Sequence, residues 1–397
     1  MADVLRRVYL KRLESGKDRT DTVKIITGMR RCGKTTLMKQ YISLLISSGV
    51  PEDRIISFNF ESKETEHIQD YADLLREIGS RKGRFYVFLD EVQRIDKWEK
   101  AVNSLQVDYD ADIYITGSNA YLLSSELSTY ISGRYVEVKM LPLSFAEFLE
   151  LHPGSKEERF MQYIRYGSLP VVNPDADESF ERDHLIGIFN TILIKDVLRH
   201  AGSTDSSVLE DVSRFLFSNI GNTTSCNNIA KILKEDNRKI RKYLDALQES
   251  YLIHKAERYD IRGRKLLDTM EKYYVSDTGI RNAVLGISSR EDISRQIENI
   301  VYLELIRRGY EVYVGKYGDN EVDFTARKGS DIEYYQVTMS MLPDDVYERE
   351  VRSLKMIRDS RLKTVLSMDN FLTDLPDGMK HRNVIEWLLG DGECISK

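Results

Sequence analysis

Cysteine is scarce in this sequence. Its three cysteines, Cys32, Cys226 and Cys394, show no paired spacing suited to a zinc site or a disulfide framework. This scarcity favours a reducing compartment, and we expect a cytoplasmic protein. Long apolar runs are missing as well, because the longest, such as 85–89, stop far short of the roughly 20 residues that cross a bilayer. Residues 1–19 are rich in charge and lack the apolar stretch of a secretory signal, so we expect no membrane partner.

Proline is also rare, with 7 residues in a chain of 397, and neither sign of charge dominates, since the net charge is −6. Hydrophobic residues make up 41% and charged residues 31% of the sequence, which is typical of a folded, helix-rich protein. The small net charge excludes a global attraction to nucleic acid, so any DNA binding has to come from a local patch. The length predicts roughly two to four domains.

Short β-type runs alternate with helical segments over residues 1–145. We predict five strands, at 23–27, 54–60, 85–89, 112–116 and 135–140. Apolar residues recur at helical spacing after the first strand, at Leu37, Tyr41, Leu44 and Leu45. The pattern indicates an α/β domain with a parallel sheet covered by helices.

The rest of the chain divides into three segments. Helical patterns over 146–205 predict a small helical lid, and the polar stretch 202–207 predicts a linker after it. Residues 206–280 are helical and end in two short strands. Residues 281–397 begin with a helix and continue into strands. We therefore expect four domains in all.

Residues 28–35 match the pattern G-x-x-x-x-G-K-[ST] at every fixed position. The match follows the first predicted strand and opens the amphipathic helix, which makes a chance glycine-rich turn a weak alternative. Glycine lets the backbone curl so that amide N–H groups point at phosphates, and the helix N-terminus adds positive charge. Lys34 is expected to contact the β- and γ-phosphates, and Thr35 to bind Mg²⁺. The predicted nucleotide-binding residues are Gly28, Met29, Arg30, Arg31, Cys32, Gly33, Lys34, Thr35 and Thr36.

Two acids, Asp90 and Glu91, follow the apolar run 85–89. In a parallel sheet, ligands bind at the carboxyl ends of the strands, which is where these acids are expected to lie. We predict that Asp90 holds Mg²⁺, largely through water, and that Glu91 orients and deprotonates the attacking water. Paired acids also end strands at ordinary surfaces, but the upstream phosphate loop favours the catalytic interpretation.

Together these motifs resemble AAA-type P-loop ATPases, specifically a bacterial and archaeal group with a C-terminal domain of restriction-endonuclease-like fold. The resemblance covers nearly the whole chain. It rests on residues 27–36, 88–93, 115–118, 132–134, 142–145, 167–170, 273–279, 298–309 and 321–324. The first two segments are shared by many ATPases, whereas the combination in this order is specific. The resemblance implies ATP as the nucleotide, with ADP as product.

The resemblance implies further roles. Ser118 or Thr116 looks like the polar sensor of the γ-phosphate, with a plain turn as the alternative. Asn59 lies where similar ATPases restrain the catalytic glutamate. Arg134 lies where AAA proteins present an arginine finger to a neighbouring subunit, which implies a homo-oligomer; a surface arginine is the alternative. Residues 167–170 resemble the signature of signal-transducing relatives and favour a nucleotide switch.

Helical residues 225–233, a turn at 234–236 and helical residues 237–250 precede two strands, at 251–256 and 272–275. This order is the layout of a winged helix-turn-helix. Basic residues crowd the second helix and the loop between the strands, at Arg238, Lys239, Arg241, Lys242, Arg262 and Arg264. These residues are candidates for contacts with duplex or branched DNA. A solvated basic face, or a winged helix that docks a protein, is the alternative.

The last segment carries Glu298, Asp323, Gln336 and Thr338 in an order that resembles the site of restriction endonucleases. Such a site needs several carboxylates for Mg²⁺ and a lysine beside the attacking hydroxide. Gln336 stands where the second acid belongs and Thr338 where the lysine belongs. The change removes one metal-binding charge and the only cation, so we predict a degenerate, inactive nuclease domain that retains a binding role.

Three functions follow from these motifs. The first is an ATPase that remodels or switches a complex on DNA. The second is an ATP-dependent signalling or defence switch that recruits a protein. The third is an ATP-gated nuclease.

Overall fold

The computed structural model describes residues 4–120, 133–198, 201, 205–286, 290–370, 375–376 and 378–390. Ser132 of the resemblance, residues 202–204 of the predicted linker and Cys394 lie outside the described residues. The chain forms two compact units. Unit 1 comprises Met1–Pro142 and Glu249–Tyr251, and unit 2 comprises Leu143–Gln248 and Leu252–Lys397. None of the described helices combines the length and apolar character that a membrane crossing requires.

Unit 1 contains a five-stranded, wholly parallel sheet in the order β2-β3-β4-β1-β5. Its strands are β1 Val23–Thr27, β2 Ile55–Asn59, β3 Phe85–Asp90, β4 Ala111–Gly117 and β5 Tyr135–Lys139. Its helices are α1 Arg7–Glu14, α2 Lys34–Ser47, α3 Tyr71–Ile78 and α4 Trp98–Asp108. The predicted α/β domain with a parallel sheet is confirmed, and each predicted strand lies within two residues of an observed one.

Helices cover both faces of this sheet. Ile25 of β1 belongs to a core with residues of α3 and α4, whereas the next residue, Ile26, packs with residues of α1 and α2. Alternation along the strand sends neighbouring side chains to opposite faces, so both faces must be apolar. β1 and β3 are accordingly buried at every position, and their residues are apolar except for Lys24, Thr27 and Asp90.

Unit 2 begins with helices α5 Phe145–Leu151, α6 Lys156–Tyr166 and α7 Glu178–Ile192. Next come α8 Ser206–Ser218, β6 Thr223–Thr224, α9 Cys226–Leu233, α10 Asn237–Glu249, β7 Ile253–Asp260, β8 Lys265–Val275 and α11 Thr278–Leu285. The last part contains α12 Arg290–Arg307, β9 Glu311–Tyr317, β10 Asn320–Lys328, β11 Asp331–Val337, α13 Asp344–Lys355, β12 Lys363–Ser367, β13 Met379–Asn383 and α14 Val384–Leu389.

A single eight-stranded sheet runs through unit 2 in the order β13-β12-β11-β10-β9-β7-β8-β6. Strands β7 and β8 form an antiparallel hairpin, and β7 also pairs in parallel with β9 through the register Arg258 to Val314. The sheet therefore contains strands from both 206–280 and 281–397, which we predicted to be separate domains. Pairing β7 with β9 satisfies backbone groups that two exposed sheet edges would leave open. The four-domain division stays a prediction.

Two of the segments on which the family resemblance rests pack against each other in unit 2, namely 167–170 and 273–279. Asp277 accepts hydrogen bonds from the Ser168 N–H and hydroxyl at 2.6 and 3.0 Å, and it caps α11 through the Ile280 N–H at 2.8 Å. A Cβ on Gly279 would overlap the carbonyl oxygen of Tyr166. Glycine is thus required for the close backbone approach. Whether 167–170 acts as a nucleotide switch stays a prediction.

Candidate functional site

The segment between β1 and α2 is a tight loop with three residues at positive φ. Gly28, Arg31 and Gly33 have φ angles of 145°, 70° and 101°. A Cβ on Gly28 would overlap the carbonyl oxygen of Met140, so only glycine fits there. No side chain caps the N-terminus of α2 at Gly33, which leaves its first amide groups available to an anion. The loop thus has the curl that a phosphate site needs.

Lys34 lies inside this loop. Its side chain is buried, and Nζ donates to the carbonyl oxygens of Gly28 and Met29 at 3.0 and 3.2 Å. These bonds hold the ammonium group over the curl of the backbone. A positive charge and backbone amides therefore point into the same concave space.

Asp90 and Thr35 join the loop to the end of β3. The Thr35 hydroxyl donates to Asp90 Oδ2 at 2.7 Å, and the Thr116 hydroxyl at the end of β4 donates to Asp90 Oδ1. Hydroxyl and carboxylate oxygens are the ligands that Mg²⁺ prefers, so Thr35 and Asp90 fit that ion. The predicted meeting of loop and acid is present in unit 1.

Glu91 follows β3 in a left-handed conformation, with φ of 56°. This conformation costs a non-glycine residue about 1–2 kcal/mol. Two contacts hold it: its N–H donates to the Thr116 hydroxyl at 2.9 Å, and its Oε2 accepts from Gln93 Nε2 at 2.6 Å. Strain of this kind persists where surrounding contacts fix a functional side chain. Thr116 thereby positions both acids.

The structure distinguishes among the secondary site residues. Thr116 and Ser118 were the two candidates for the γ-phosphate sensor. The Thr116 hydroxyl donates to the Asp90 carboxylate and accepts from the Glu91 N–H, whereas Ser118 is buried just beyond β4. Asn59 lies in register with Asp90, but its Oδ1 accepts from the Glu61 N–H at 2.8 Å. The sequence analysis did not assign a role to Gln93, which donates to Glu91. The roles of Ser118 and Asn59 stay predictions.

Arg134 lies at the amino end of β5, where its carbonyl oxygen accepts from the Val23 N–H at 3.0 Å. Its exposed guanidinium reaches toward Asn103 Oδ1 at 3.5 Å. The phosphate loop follows the opposite end of β1, a five-residue strand of about 16 Å. Arg134 therefore lies on the opposite edge of the sheet from its own loop.

Arg6 contacts the phosphate loop, although the sequence carried no signal for it. The side chain is buried, and it donates to the carbonyl oxygen of Cys32 at 3.0 Å and to that of Leu141 at 2.7 Å. The guanidinium also lies 5.0 Å from the ring centre of Tyr9. Arg6 thus links the loop to the segment after β5.

In the candidate DNA-binding region, Arg238, Arg241 and Lys242 are exposed on α10. Lys239 differs, because its Nζ lies 2.6 Å from Asp205 and 3.2 Å from Glu235. The hydrogen bond to Asp205 raises the pKa of Lys239, so the lysine stays charged, and the two carboxylates compensate that charge. Arg262 and Arg264 are exposed in the turn between β7 and β8. The basic patch is therefore smaller than the sequence predicted.

The structure brings most of the predicted nuclease-like residues together. Asp323 on β10 donates its N–H to Gln336 Oε1 at 3.1 Å and accepts from the Val337 N–H at 2.8 Å. Burial and the nearby Glu298 raise the pKa of Asp323 well above its usual value. Thr338 is buried just after β11, where its hydroxyl donates to Ser340 at 3.4 Å.

A buried lysine lies beside these acids, which contradicts the prediction that the region has no cation. Thr338 does not remove the only cation, because Lys272 Nζ lies 3.1 Å from Glu298 and 2.9 Å from Glu321. Lys272 is on β8, far from Thr338 in sequence, so local spacing could not reveal it. Among the residues that the structure describes, no group of three or more His, Cys, Asp or Glu is arranged to hold a metal ion.

Comparison with known proteins adds the following. Residues 20–149 match the model of a family described as an AAA domain, and residues 157–291 match one described as a domain of unknown function. An uncharacterized protein of Haemophilus influenzae is 39% identical over 402 residues, covering 98% of this chain and 99% of that protein. An uncharacterized protein of Methanocaldococcus jannaschii is 30% identical over 367 residues, covering 86% of this chain and 80% of that protein.

Among solved structures, the replication initiator DnaA bound to AMPPCP and single-stranded DNA is similar at 16% identity and a TM-score of 0.32. The similarity covers 63% of this chain and 89% of the DnaA chain.

Proposed function

Since this chain belongs to the protein family of the Haemophilus influenzae and Methanocaldococcus jannaschii relatives and carries an AAA domain at 20–149, we propose that it binds ATP with Mg²⁺ and hydrolyses it. The observation that carries the proposal is the 2.7 Å hydrogen bond between Thr35 and Asp90. It joins the phosphate loop to the acid pair, the two halves that nucleotide hydrolysis needs.

Each residue of the site has a role in the proposed reaction. The loop amides and Lys34 bind the β- and γ-phosphates, and Thr35 and Asp90 would hold Mg²⁺, which would offset charge on the phosphate oxygens. Glu91 orients water toward the γ-phosphorus and accepts its proton. The bond to the β-γ bridging oxygen breaks, and ADP and phosphate leave. Thr116 holds both acids in place through its hydroxyl.

Two substitutions test this proposal. Lys34→Ala is expected to abolish ATP binding in a calorimetric titration, because it removes the charge inside the loop. Glu91→Gln is expected to keep binding and to slow hydrolysis by about 10²- to 10⁴-fold, the usual contribution of a general base. Glu64→Gln, at an exposed glutamate, is the matched control and should leave both properties unchanged. Wild-type rates of hydrolysis by Lys34→Ala would contradict the proposal.

We further propose that ATP hydrolysis switches binding to DNA. The order of α8, β6, α9, α10 and the β7-β8 hairpin supports a winged helix, in which α10 is the recognition helix. Three exposed basic residues on α10, Arg238, Arg241 and Lys242, are available for contacts with phosphates.

A second candidate is a switch that recruits a protein, and two features favour it. The charge of Lys239 is neutralised by Asp205 and Glu235, which weakens the region as a DNA site. Ile232, near the end of α9, is 52% exposed, and an exposed aliphatic side chain suits a protein partner.

A further inference from the structure

A buried lysine lies among carboxylates in unit 2. Lys272 on β8 is 4% exposed, and its Nζ lies 3.1 Å from Glu298 Oε1 on α12 and 2.9 Å from Glu321 Oε1 on β10. Asp323 on β10 also acts electrostatically on this ammonium group. The Lys272 ammonium group on β8 thus interacts with three carboxylates, one on α12 and two on β10.

Further contacts account for the carboxylate oxygens. Glu298 Oε1 accepts a hydrogen bond from the Tyr274 hydroxyl at 2.6 Å. Gly221 packs closely against Glu298, since a Cβ at that glycine would lie only 3.1 Å from Glu298 Oε2. Asp323 accepts from the Val337 N–H at 2.8 Å. Arg258 lies 3.4 Å from the second oxygen of Glu321. Each of the three acids therefore has at least one hydrogen bond or ion pair with a protein group.

Two protein cations pair with carboxylates of this cluster. Burial lowers the pKa of Lys272, but the nearby Glu298, Asp323 and Glu321 outweigh it and raise that pKa, so the ammonium stays charged. Two cations, Lys272 and Arg258, face two of the carboxylates, Glu298 and Glu321.

We infer that the ammonium group of Lys272 is the resident cation of this cluster, so that its carboxylates bind no divalent metal ion in the wild-type chain. The cluster also fastens the β7-β8 hairpin to α12 and β10, so that residues 206–280 and 281–397 behave as one body. This inference is independent of ATP hydrolysis, because these residues all lie in unit 2.

The inference predicts what happens when the charge of Lys272 is removed. In Lys272→Met, Glu298 and Glu321 face each other without their shared cation, and their repulsion creates a site for an oxygen-seeking divalent ion. Mn²⁺ is the probe, measured by electron paramagnetic resonance and calorimetry on the full chain without nucleotide. We expect Lys272→Met to bind a single additional Mn²⁺ and to gain thermal stability from it.

Three variants make the result specific. Adding Glu298→Gln to Lys272→Met should abolish the new Mn²⁺ site, whereas Lys272→Arg should never acquire it. Lys255→Met is the matched control, because Lys255 on β7 also lies near two glutamates, Glu257 and Glu271, but is 32% exposed. It should gain no Mn²⁺ site.

The wild-type chain tests the inference even where Lys272→Met fails to fold. Wild type should bind no Mn²⁺ that Glu298→Gln removes, and it should not cleave linear, single-stranded or branched DNA with Mg²⁺ or Mn²⁺. Binding or cleavage lost on Glu298→Gln or Asp323→Ala would overturn the inference. A folded Lys272→Met that binds no additional Mn²⁺ would overturn it as well.

Discussion

Lys24 and Asp112 form an ion pair inside unit 1, with side chains 3% and 0% exposed. Burial lowers the pKa of Lys24 and raises that of Asp112, and each partner opposes the shift of the other. Asp112 also accepts from the Asp18 N–H at 2.8 Å and from the Tyr114 hydroxyl at 3.0 Å. If Lys24 is replaced, Asp112 keeps these two hydrogen bonds. Among the ion pairs of the described residues, however, no other buried cation pairs with Asp112.

We predict that Lys24→Met lowers the free energy of unfolding by about 3–5 kcal/mol, since it leaves a buried carboxylate without its cation. The double variant Lys24→Met, Asp112→Asn should recover most of that loss. The chain has 2 tryptophans, Trp98 in unit 1 and Trp387 in unit 2. Urea unfolding followed by Trp98 fluorescence in a Trp387→Phe background reports on unit 1. Equal stability of the single and double variants would refute the argument.

The sequence predicted the position of some site residues but not of others. The placement of Lys34, Thr35, Asp90 and Glu91 was predictable, because a phosphate loop and an acid pair that follow parallel strands of one sheet lie at the same end of that sheet. Only β4 separates β1 from β3. Arg6 was not, because its partners Cys32 and Leu141 lie 26 and 135 residues away. No local pattern reports contacts of that kind.

At the scale of helices and strands, periodicity predicted most boundaries. The second helix of the predicted helix-turn-helix, 237–250, is observed as Asn237–Glu249. The pairing of β7 with β9 was not predictable, because both strands carry similar alternation and pairing depends on which edges meet. As a result, one sheet crosses the boundary at 280/281, which we predicted from the order of helical and strand segments.

The surface of α10 permits a test of DNA binding. We predict that replacing Arg238, Arg241 and Lys242 with alanine lowers the slope of log affinity against log salt by about three, since each phosphate contact contributes about 0.9. Lys239→Ala is the control and should leave the slope nearly unchanged, because Asp205 and Glu235 already neutralise Lys239. Fluorescence anisotropy with duplex and branched DNA, with and without ATP, measures the effect. An absence of wild-type binding at moderate salt would favour the protein-recruiting switch.

At the scale of the whole molecule, the position of Arg134 bears on assembly. It lies at the amino end of the parallel sheet, whereas the phosphate loop lies at the carboxyl end. A guanidinium there cannot serve the nucleotide of its own chain, but it can serve that of a neighbouring copy. We therefore propose a homo-oligomer in which Arg134 completes the site of the next subunit.

This arrangement predicts that Arg134→Ala lowers hydrolysis by about 10³- to 10⁵-fold and that wild-type specific activity falls steeply on dilution. Mixing two inactive variants gives the sharper test. Arg134→Ala keeps an intact loop, and Lys34→Ala keeps an intact Arg134, so a mixed oligomer contains complete sites and should recover activity. Arg134→Ala mixed with Glu64→Gln, which retains every catalytic group, sets the maximum recovery. No recovery with Lys34→Ala, or a specific activity that is flat into the monomeric range, would rule out action between subunits.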